Sequence, residues 1–218
     1  MTHSNSASSL NESVLFLTPR SPFARRVRLA MTRAGVDFKL QETNVFEPAP
    51  DFLARNPLGL VPVLSLKDGR SLVDSAAIAE AIHDEFGGIW PSDRSIRLGV
   101  RLASTWAVGI MTAAVAYFLE TKMHAVPDES WSKDHEAVVA RTLAVIEASD
   151  LSGPYWISSE VDTMGELTQA GWDLAVALEY VTLRLPHLAW EAKHPKLKPL
   201  LERCRKSTAF RESTPPPM

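Results

Sequence analysis

One stretch decides how the first half of this chain folds: Thr18-Pro19-Arg20-Ser21-Pro22-Phe23-Ala24-Arg25-Arg26-Val27-Arg28. It follows a short apolar run, Val14-Leu15-Phe16-Leu17, which is typical of a buried strand. Apolar residues then recur at helical spacing, so we predict a helix from residue 22 to about residue 34. Pro22 suits the first turn of a helix, and Ser21 is a preferred N-cap residue. The stretch therefore predicts a strand, a turn and a helix.

The beginning of that helix favours anions, because its first backbone N–H groups lack partners and the helix dipole adds partial positive charge. Ser21 presents a hydroxyl there, so a thiolate held beside it would be stabilised. The alternative is that Ser21 is a plain N-cap, and this stretch alone favours the alternative.

The segments that follow extend this unit into an α/β domain. Residues 36–41 alternate between apolar and polar, which predicts a half-buried strand and a right-handed β-α-β crossover. The remaining elements follow in chain order: a short helix at 48–55, a strand at 60–66, a hairpin at Asp68-Gly69 and a helix capped by Asp74-Ser75. The order β-α-β-α-β-β-α is a thioredoxin-like layout.

The second half of the chain carries helical patterns only. They cover residues 95–124, 130–148, 168–185 and 195–206, and residues 150–166 have the composition of a loop. The first pattern puts Leu98, Leu102, Trp106, Ile110 and Ala113 on one face. We therefore expect a disordered tail at 1–12, a thioredoxin-like domain at 13–86, a linker at 87–94 and an all-helical domain at 95–218.

Composition excludes several classes of function. The formal net charge of −3 gives no electrostatic reason to expect nucleic acid or an acidic membrane as a partner. No run approaches the ~18 consecutive apolar residues of a membrane helix, and residues 1–12 lack the apolar core of a signal peptide. The single cysteine, Cys204, fits a reducing compartment, and the histidines are scattered rather than clustered for metal. We expect a cytoplasmic protein without a metal site.

Three separated motifs resemble the soluble, cytosolic-type glutathione transferase family, in particular bacterial members with serine at the active-site turn. They are Ser21-Pro22-Phe23-Ala24-Arg25-Arg26-Val27-Arg28, Asn56-Pro57-Leu58-Gly59-Leu60-Val61-Pro62 and Asp74-Ser75-Ala76-Ala77-Ile78. The helical pattern of the second half is similar to that family as well, so the resemblance extends over residues 14–210.

The resemblance implies that glutathione binds along the second motif as an added strand. A cis bond at Val61-Pro62 would turn the Val61 backbone toward the peptide, with Leu60 and Phe23 as further contacts. The alternative for Pro62 is an ordinary trans proline at the start of a strand.

The resemblance also assigns residues to the γ-glutamyl end of glutathione and to its thiol. Asp74 would hold the ammonium group of the γ-glutamyl residue and Ser75 its carboxylate, although both residues also fit a plain helix cap. Ser21 would donate a hydrogen bond to the thiolate, with Thr18 as the alternative donor. Glutathione would be the co-substrate, and no metal would be needed.

For the second substrate, a small apolar electrophile, the resemblance points to Trp106 and Met111 on the first long helix. The alternative is that both pack in the core. Arg26 and Arg28 are interpreted as a solvated helix face. The family also implies a homodimer with a role in detoxification.

Two departures from the family leave other functions open. Leu60 lies where many relatives carry Lys, Arg or Gln, and Gly171 lies where an Asp usually completes the cap begun by Thr168. Both favour a non-catalytic binding or interaction protein. A glutathione-dependent isomerase or reductive dehalogenase is a third reading, but such enzymes typically carry Ser-Ser-Cys or Cys at the turn, unlike Thr18-Pro19-Arg20-Ser21.

Overall fold

The computed structural model describes residues 8–158 and 167–217. The chain divides into two compact units, the first ending at Ile89 and the second beginning at Trp90. Residues 1–7 of the predicted tail, and the part of the predicted loop that includes Glu166, lie outside the described residues.

The first unit has the predicted order of elements. Its four strands are β1 (Ser13–Leu17), β2 (Phe38–Glu42), β3 (Val63–Ser65) and β4 (Ser71–Leu72). Its three helices are α1 (Pro22–Arg33), α2 (Pro50–Arg55) and α3 (Ser75–Phe86). The sheet has the order β2-β1-β3-β4; β1 and β2 are parallel, and the two other pairs are antiparallel. The β-α-β-α-β-β-α prediction is confirmed.

In β1 and α1 the core of this unit lies where alternation and helical spacing predict it, whereas β2, predicted to be half-buried, is mostly exposed. In β1 the side chains of Ser13, Leu15 and Leu17 are buried, and the two residues between them are half-buried. On α1, Val27 and Met31 lie one turn apart and are at most 1% exposed. The helix ends before Gly35, whose φ of 70° is the left-handed conformation that a C-terminal glycine supplies.

The segment before β1 differs from the prediction. Leu10 is 1% exposed, and the hydroxyls of Ser8 and Ser9 donate to the Glu85 carboxylate at the end of α3. Burial alone would raise the pKa of Glu85, but these hydrogen bonds outweigh it and hold the pKa below its usual value. The prediction of disorder through residue 12 is therefore wrong from Ser8 onward, because one apolar side chain among polar ones anchors the segment.

The second unit is helical, as predicted. Its helices are α4 (Arg94–Met123), α5 (Glu129–Glu147), α6 (Gln169–Arg184), α7 (Trp190–Lys193), α8 (Lys198–Arg205) and α9 (Thr208–Glu212). The helix predicted at 195–206 is divided into a 3₁₀ turn, Pro195–Leu197, and α8. The short helices α7 and α9 were not predicted, because a single turn is too short to show a period.

The prediction for the buried face of α4 is confirmed only in part. Ile110 and Ala113 are buried as predicted, whereas Leu98 and Leu102 are 72% and 51% exposed. In that half of α4, which packs on α5 and α6, the small residues Ala103 and Ala107 are buried instead. By length and composition alone α4 is apolar enough to cross a membrane, and 39% of its most apolar window is buried. A packed core helix meets the same criterion, so α4 gives little reason to infer a membrane span.

The start of α6 explains the departure at Gly171. Thr168 is the predicted N-cap: its Oγ1 accepts from the Gly171 N–H at 3.3 Å and donates to the Tyr155 carbonyl at 2.7 Å. A Cβ at Gly171 would lie 2.8 Å from the carbonyl oxygen of Trp156, which is closer than real Cβ atoms come. Glycine is therefore present because the backbone of α6 approaches Trp156, and an Asp would not fit there.

Candidate functional site

The strand register brings the three motifs to one edge of the sheet, the edge at which β1 and β4 end and β3 begins. Phe16 on β1 pairs with Val63 on antiparallel β3, so the turn after β1 lies beside Val61 and Pro62, which precede β3. Leu64 on β3 pairs with Leu72 on β4, so Asp74, two residues past β4, emerges at the same edge. Segments far apart in sequence therefore form one surface, within the first unit alone.

Ser21 is the N-cap of α1. Its Oγ accepts from the Ala24 N–H at 3.2 Å, and its backbone N–H donates to the Thr18 carbonyl at 3.0 Å. Because the Ser21 oxygen accepts, its own proton remains to be donated, and no described residue accepts it. Thr18 is half-buried, and among the described residues its hydroxyl has no partner either. The structure thus brings two candidate donors to one turn and leaves the choice between them open.

The second motif presents a piece of backbone that no other described residue pairs with. The Val61–Pro62 peptide bond is cis, as the resemblance implied. Neither the N–H nor the C=O of Val61 has a hydrogen-bond partner among the described residues. An extended peptide that adds to this edge would find one donor and one acceptor there.

Asn56 holds this loop in place, and sequence reasoning missed it. The Asn56 side chain is 2% exposed; its Nδ2 donates to the Leu60 carbonyl at 2.8 Å and its Oδ1 accepts from the Leu58 N–H at 3.0 Å. Asparagine directly before proline is typical of a turn, and this dipeptide is the sequence signal that could have identified Asn56. The Leu60 side chain itself is 61% exposed, so the position that carries a polar or basic side chain in many relatives is apolar here.

The third motif is the start of α3. Oδ1 of Asp74 accepts from the backbone N–H groups of Ala76 and Ala77 at 2.8 and 3.2 Å, so capping is part of its role. Ser75 is buried, and its Oγ accepts from Nη1 of Arg26 at 3.0 Å. Arg26 is 3% exposed, so its interpretation as part of a solvated face is wrong; Arg28, on the same helix, is half-buried.

The remaining predicted contacts differ in accessibility. Phe23 is half-buried in the first turn of α1. Trp106 on α4 is half-buried, whereas Met111 has no exposed surface, which favours core packing for Met111 over contact with a substrate. Among residues 8–158 and 167–217, no group of three or more His, Cys, Asp or Glu side chains is arranged to hold a metal ion.

Comparison with known proteins gives consistent matches. Residues 15–90 match the family described as Glutathione S-transferase, N-terminal domain. The uncharacterized GST-like protein YibF of Escherichia coli K12 is 28% identical over 202 residues, which are 90% of this chain and 95% of that protein. A glutathione S-transferase of Methylobacillus flagellatus, solved with glutathione bound, superposes with a TM-score of 0.84 at 27% identity and covers 94% of this chain and 100% of its own.

One partial match carries a different activity in its name. A maleylacetoacetate isomerase of Rhizobium meliloti is 37% identical over 99 residues, which are 43% of this chain and 46% of that protein. That likeness concerns less than half of either sequence.

Proposed function

We propose that this chain is a glutathione transferase, because residues 15–90 match the glutathione S-transferase N-terminal domain and the whole chain is similar to a GST-like protein and to solved glutathione S-transferases. In this proposal the sheet edge formed by the three motifs binds glutathione, and the protein transfers the glutathione thiolate to a small apolar electrophile. The observation that carries the proposal is the register, which sets the turn at Ser21, the unpaired backbone of Val61 and the capped start of α3 along one edge.

Each part of this edge matches one group of an extended γ-glutamyl peptide. Val61 offers an N–H and a C=O to the cysteinyl backbone. The Asp74 carboxylate suits the γ-glutamyl ammonium, and the Ser75 hydroxyl suits the γ-glutamyl carboxylate. Leu60 offers no charge to the glycine carboxylate, so we expect glutathione to bind more weakly than it would with a cation at that position.

The chemistry needs a thiolate at neutral pH. A hydrogen bond from Ser21, together with the positive end of α1, stabilises the ionised sulfur and lowers the pKa of the bound thiol. The thiol proton passes to solvent. The sulfur lone pair then forms a C–S bond to the electrophilic carbon, and the leaving group departs with the bonding electron pair. Thr18 is the alternative donor, and Trp106 remains a proposed contact for the electrophile.

We propose that the protein acts as a homodimer. Leu98 and Leu102 lie one turn apart on α4 and are both exposed, so they offer an apolar surface to a second copy.

A second candidate is glutathione-dependent isomerisation, which the partial likeness to maleylacetoacetate isomerases favours. It would use the same thiolate: the sulfur adds to a conjugated double bond and the π electron pair moves onto the activating carbonyl as an enolate. The former double bond then rotates, and the enolate collapses and expels the thiolate. Only the first step is shared with conjugation, so the fate of the adduct distinguishes the two activities.

The test is a steady-state assay with glutathione and 1-chloro-2,4-dinitrobenzene, run beside a maleyl-type substrate whose double-bond geometry is followed spectroscopically. Conjugation above the uncatalysed rate supports the transferase. Isomerisation without a stable adduct supports the second candidate. Binding of glutathione with neither reaction would leave a non-catalytic binding protein.

A further inference from the structure

The buried guanidinium of Arg26 contacts Ser75, whose hydroxyl is the predicted partner of the γ-glutamyl carboxylate. Arg26 on α1 is 3% exposed, and its Nη1 donates to Oγ of Ser75, the first residue of α3, at 3.0 Å. Guanidinium groups stay charged at any pH that a protein tolerates, so this is a permanent positive charge. It lies within the first unit and contacts the motif that the proposed function assigns to the γ-glutamyl end.

The hydrogen bond also decides what the Ser75 hydroxyl can do. A guanidinium donates and cannot accept, so the Ser75 oxygen accepts and its proton remains for another partner. No described residue accepts that proton. A hydroxyl fixed in this way is a preorganised donor, since it need not rotate away from another acceptor when an anion arrives.

Resting on the proposed function, we propose that Arg26 is a positioning residue for the α-carboxylate of the γ-glutamyl group. It holds the Ser75 hydroxyl as a donor toward that carboxylate and adds a positive charge behind it. The ligand class selected is therefore a γ-glutamyl thiol with a free α-carboxylate. Arg26 does not touch the ligand in this assignment; it acts through Ser75.

A structural role for Arg26 would affect all ligands alike, so the test compares two of them. Calorimetry measures Kd for glutathione and for γ-aminobutyryl-cysteinyl-glycine, which lacks only the α-carboxylate. We expect Arg26→Met to raise Kd for glutathione about tenfold and to leave Kd for the analogue within about twofold. Arg26→Lys, which keeps the charge, is expected to recover part of the loss.

Two further variants complete the design. Arg28→Met removes a positive charge from the same helix at a residue without a described contact to Ser75, and we expect it to bind both ligands as the wild type does. In a Ser75→Ala background, Arg26→Met should change Kd for glutathione much less than it does alone, because the two residues act as one unit. At saturating glutathione, kcat of Arg26→Met should stay within about twofold of the wild type while KM rises.

The outcomes separate this inference from the proposed function. A wild type that does not bind glutathione overturns both. A wild type that binds, with Arg26→Met equal to it or equally weakened for both ligands, overturns the role of Arg26 alone. If Arg26→Met does not fold, Arg26→Lys and Ser75→Ala carry the same two-ligand comparison, and an equal loss for both ligands would again reject the assignment.

Discussion

The first turn of α6 lies so close to Trp156 that a Cβ on Gly171 would stand 2.8 Å from the Trp156 carbonyl oxygen. This close approach requires glycine at position 171. Helix propensity and capping rules predict Asp or Ala there instead, because either residue would stabilise an isolated helix more than glycine does. Tertiary packing therefore overrides a local preference at this position.

We expect Gly171→Ala to lower the free energy of unfolding by about 1–3 kcal/mol, because a backbone oxygen cannot move aside as a side chain can. The matched control is Gly109→Ala in α4, where a Cβ would meet nothing within 4 Å. That change should stabilise the protein by up to ~1 kcal/mol. Urea denaturation measures both, and stabilisation by Gly171→Ala would disprove the close approach.

Removing the Ser21 hydroxyl should affect the thiol and leave peptide binding nearly intact. Ser21→Ala takes away a donor to the ionised sulfur, so the pKa of bound glutathione should rise and the rate profile should move to higher pH. We expect kcat near neutral pH to fall about 10–100-fold. Thr18→Val is the comparison: if it causes the larger loss, Thr18 rather than Ser21 is the donor.

The buried carboxylate of Asp173 should make Ser104 important for stability. Asp173 has no exposed surface, and its carboxylate oxygens accept from Ser104 Oγ at 2.6 Å and from Gln169 Nε2 at 2.8 Å. Ser104→Ala is expected to cost about 1–3 kcal/mol of unfolding free energy, since a buried carboxyl group loses a hydrogen-bond partner. Thr105→Ala, at the exposed neighbouring position, should be within about 0.5 kcal/mol of the wild type. Equal effects would contradict the role of the buried pair.

Tyr117 should make the protein less stable in alkali. Burial, and then the charge of Glu136 and the hydrogen bond to it, raise the pKa of Tyr117 above its usual value. A group with a raised folded-state pKa contributes stability at pH values below its unfolded pKa of about 10, and that contribution is lost as the pH rises through the folded value. Denaturation at pH 7 and pH 11 should show a smaller alkaline loss for Tyr117→Phe than for the wild type. An identical loss would contradict the assignment.

The proposed dimer can be tested at the exposed leucines of α4. Leu98→Glu combined with Leu102→Glu should convert the protein to monomers in sedimentation velocity, because charges would replace the apolar surface. Val145→Glu, at an exposed apolar residue of α5, is the control and should not change the oligomeric state. A wild type that sediments as a monomer would reject the dimer, and dimers that persist in the double variant would reject this surface.

Local rules predicted most of the fold. The period of the apolar residues gave the order of strands and helices, and Ser21, Asp74 and Thr168 all cap helices as their residue types indicate. The cis bond at Val61–Pro62 came from the family resemblance rather than from local rules, which favoured a trans bond.

What the sequence did not reveal depends on packing between distant segments. Arginine is usually a surface residue, so the sequence suggested that Arg26 is exposed. It is buried because α3 packs against α1 and offers Ser75 as a partner. Helical spacing put Leu98 and Leu102 on one face with Ile110, but of these three only Ile110 is buried, and near the start of α4 small residues are buried in place of the two leucines. Periodicity gives the face of a helix, and its neighbours decide the direction in which that face points.

The most direct test of the central claim is calorimetric titration of glutathione into the wild type, Asp74→Ala and Asp93→Ala. Asp93 caps α4 with the same hydrogen-bond pattern as Asp74 caps α3, accepting from the backbone N–H groups two and three residues later at 2.8 and 2.9 Å, so it controls for the loss of a cap alone. We predict saturable binding by the wild type with Kd between about 1 μM and 1 mM, at least about tenfold weaker binding by Asp74→Ala, and wild-type binding by Asp93→Ala. No binding by the wild type at millimolar glutathione, or equal weakening by the two Asp variants, would contradict the account.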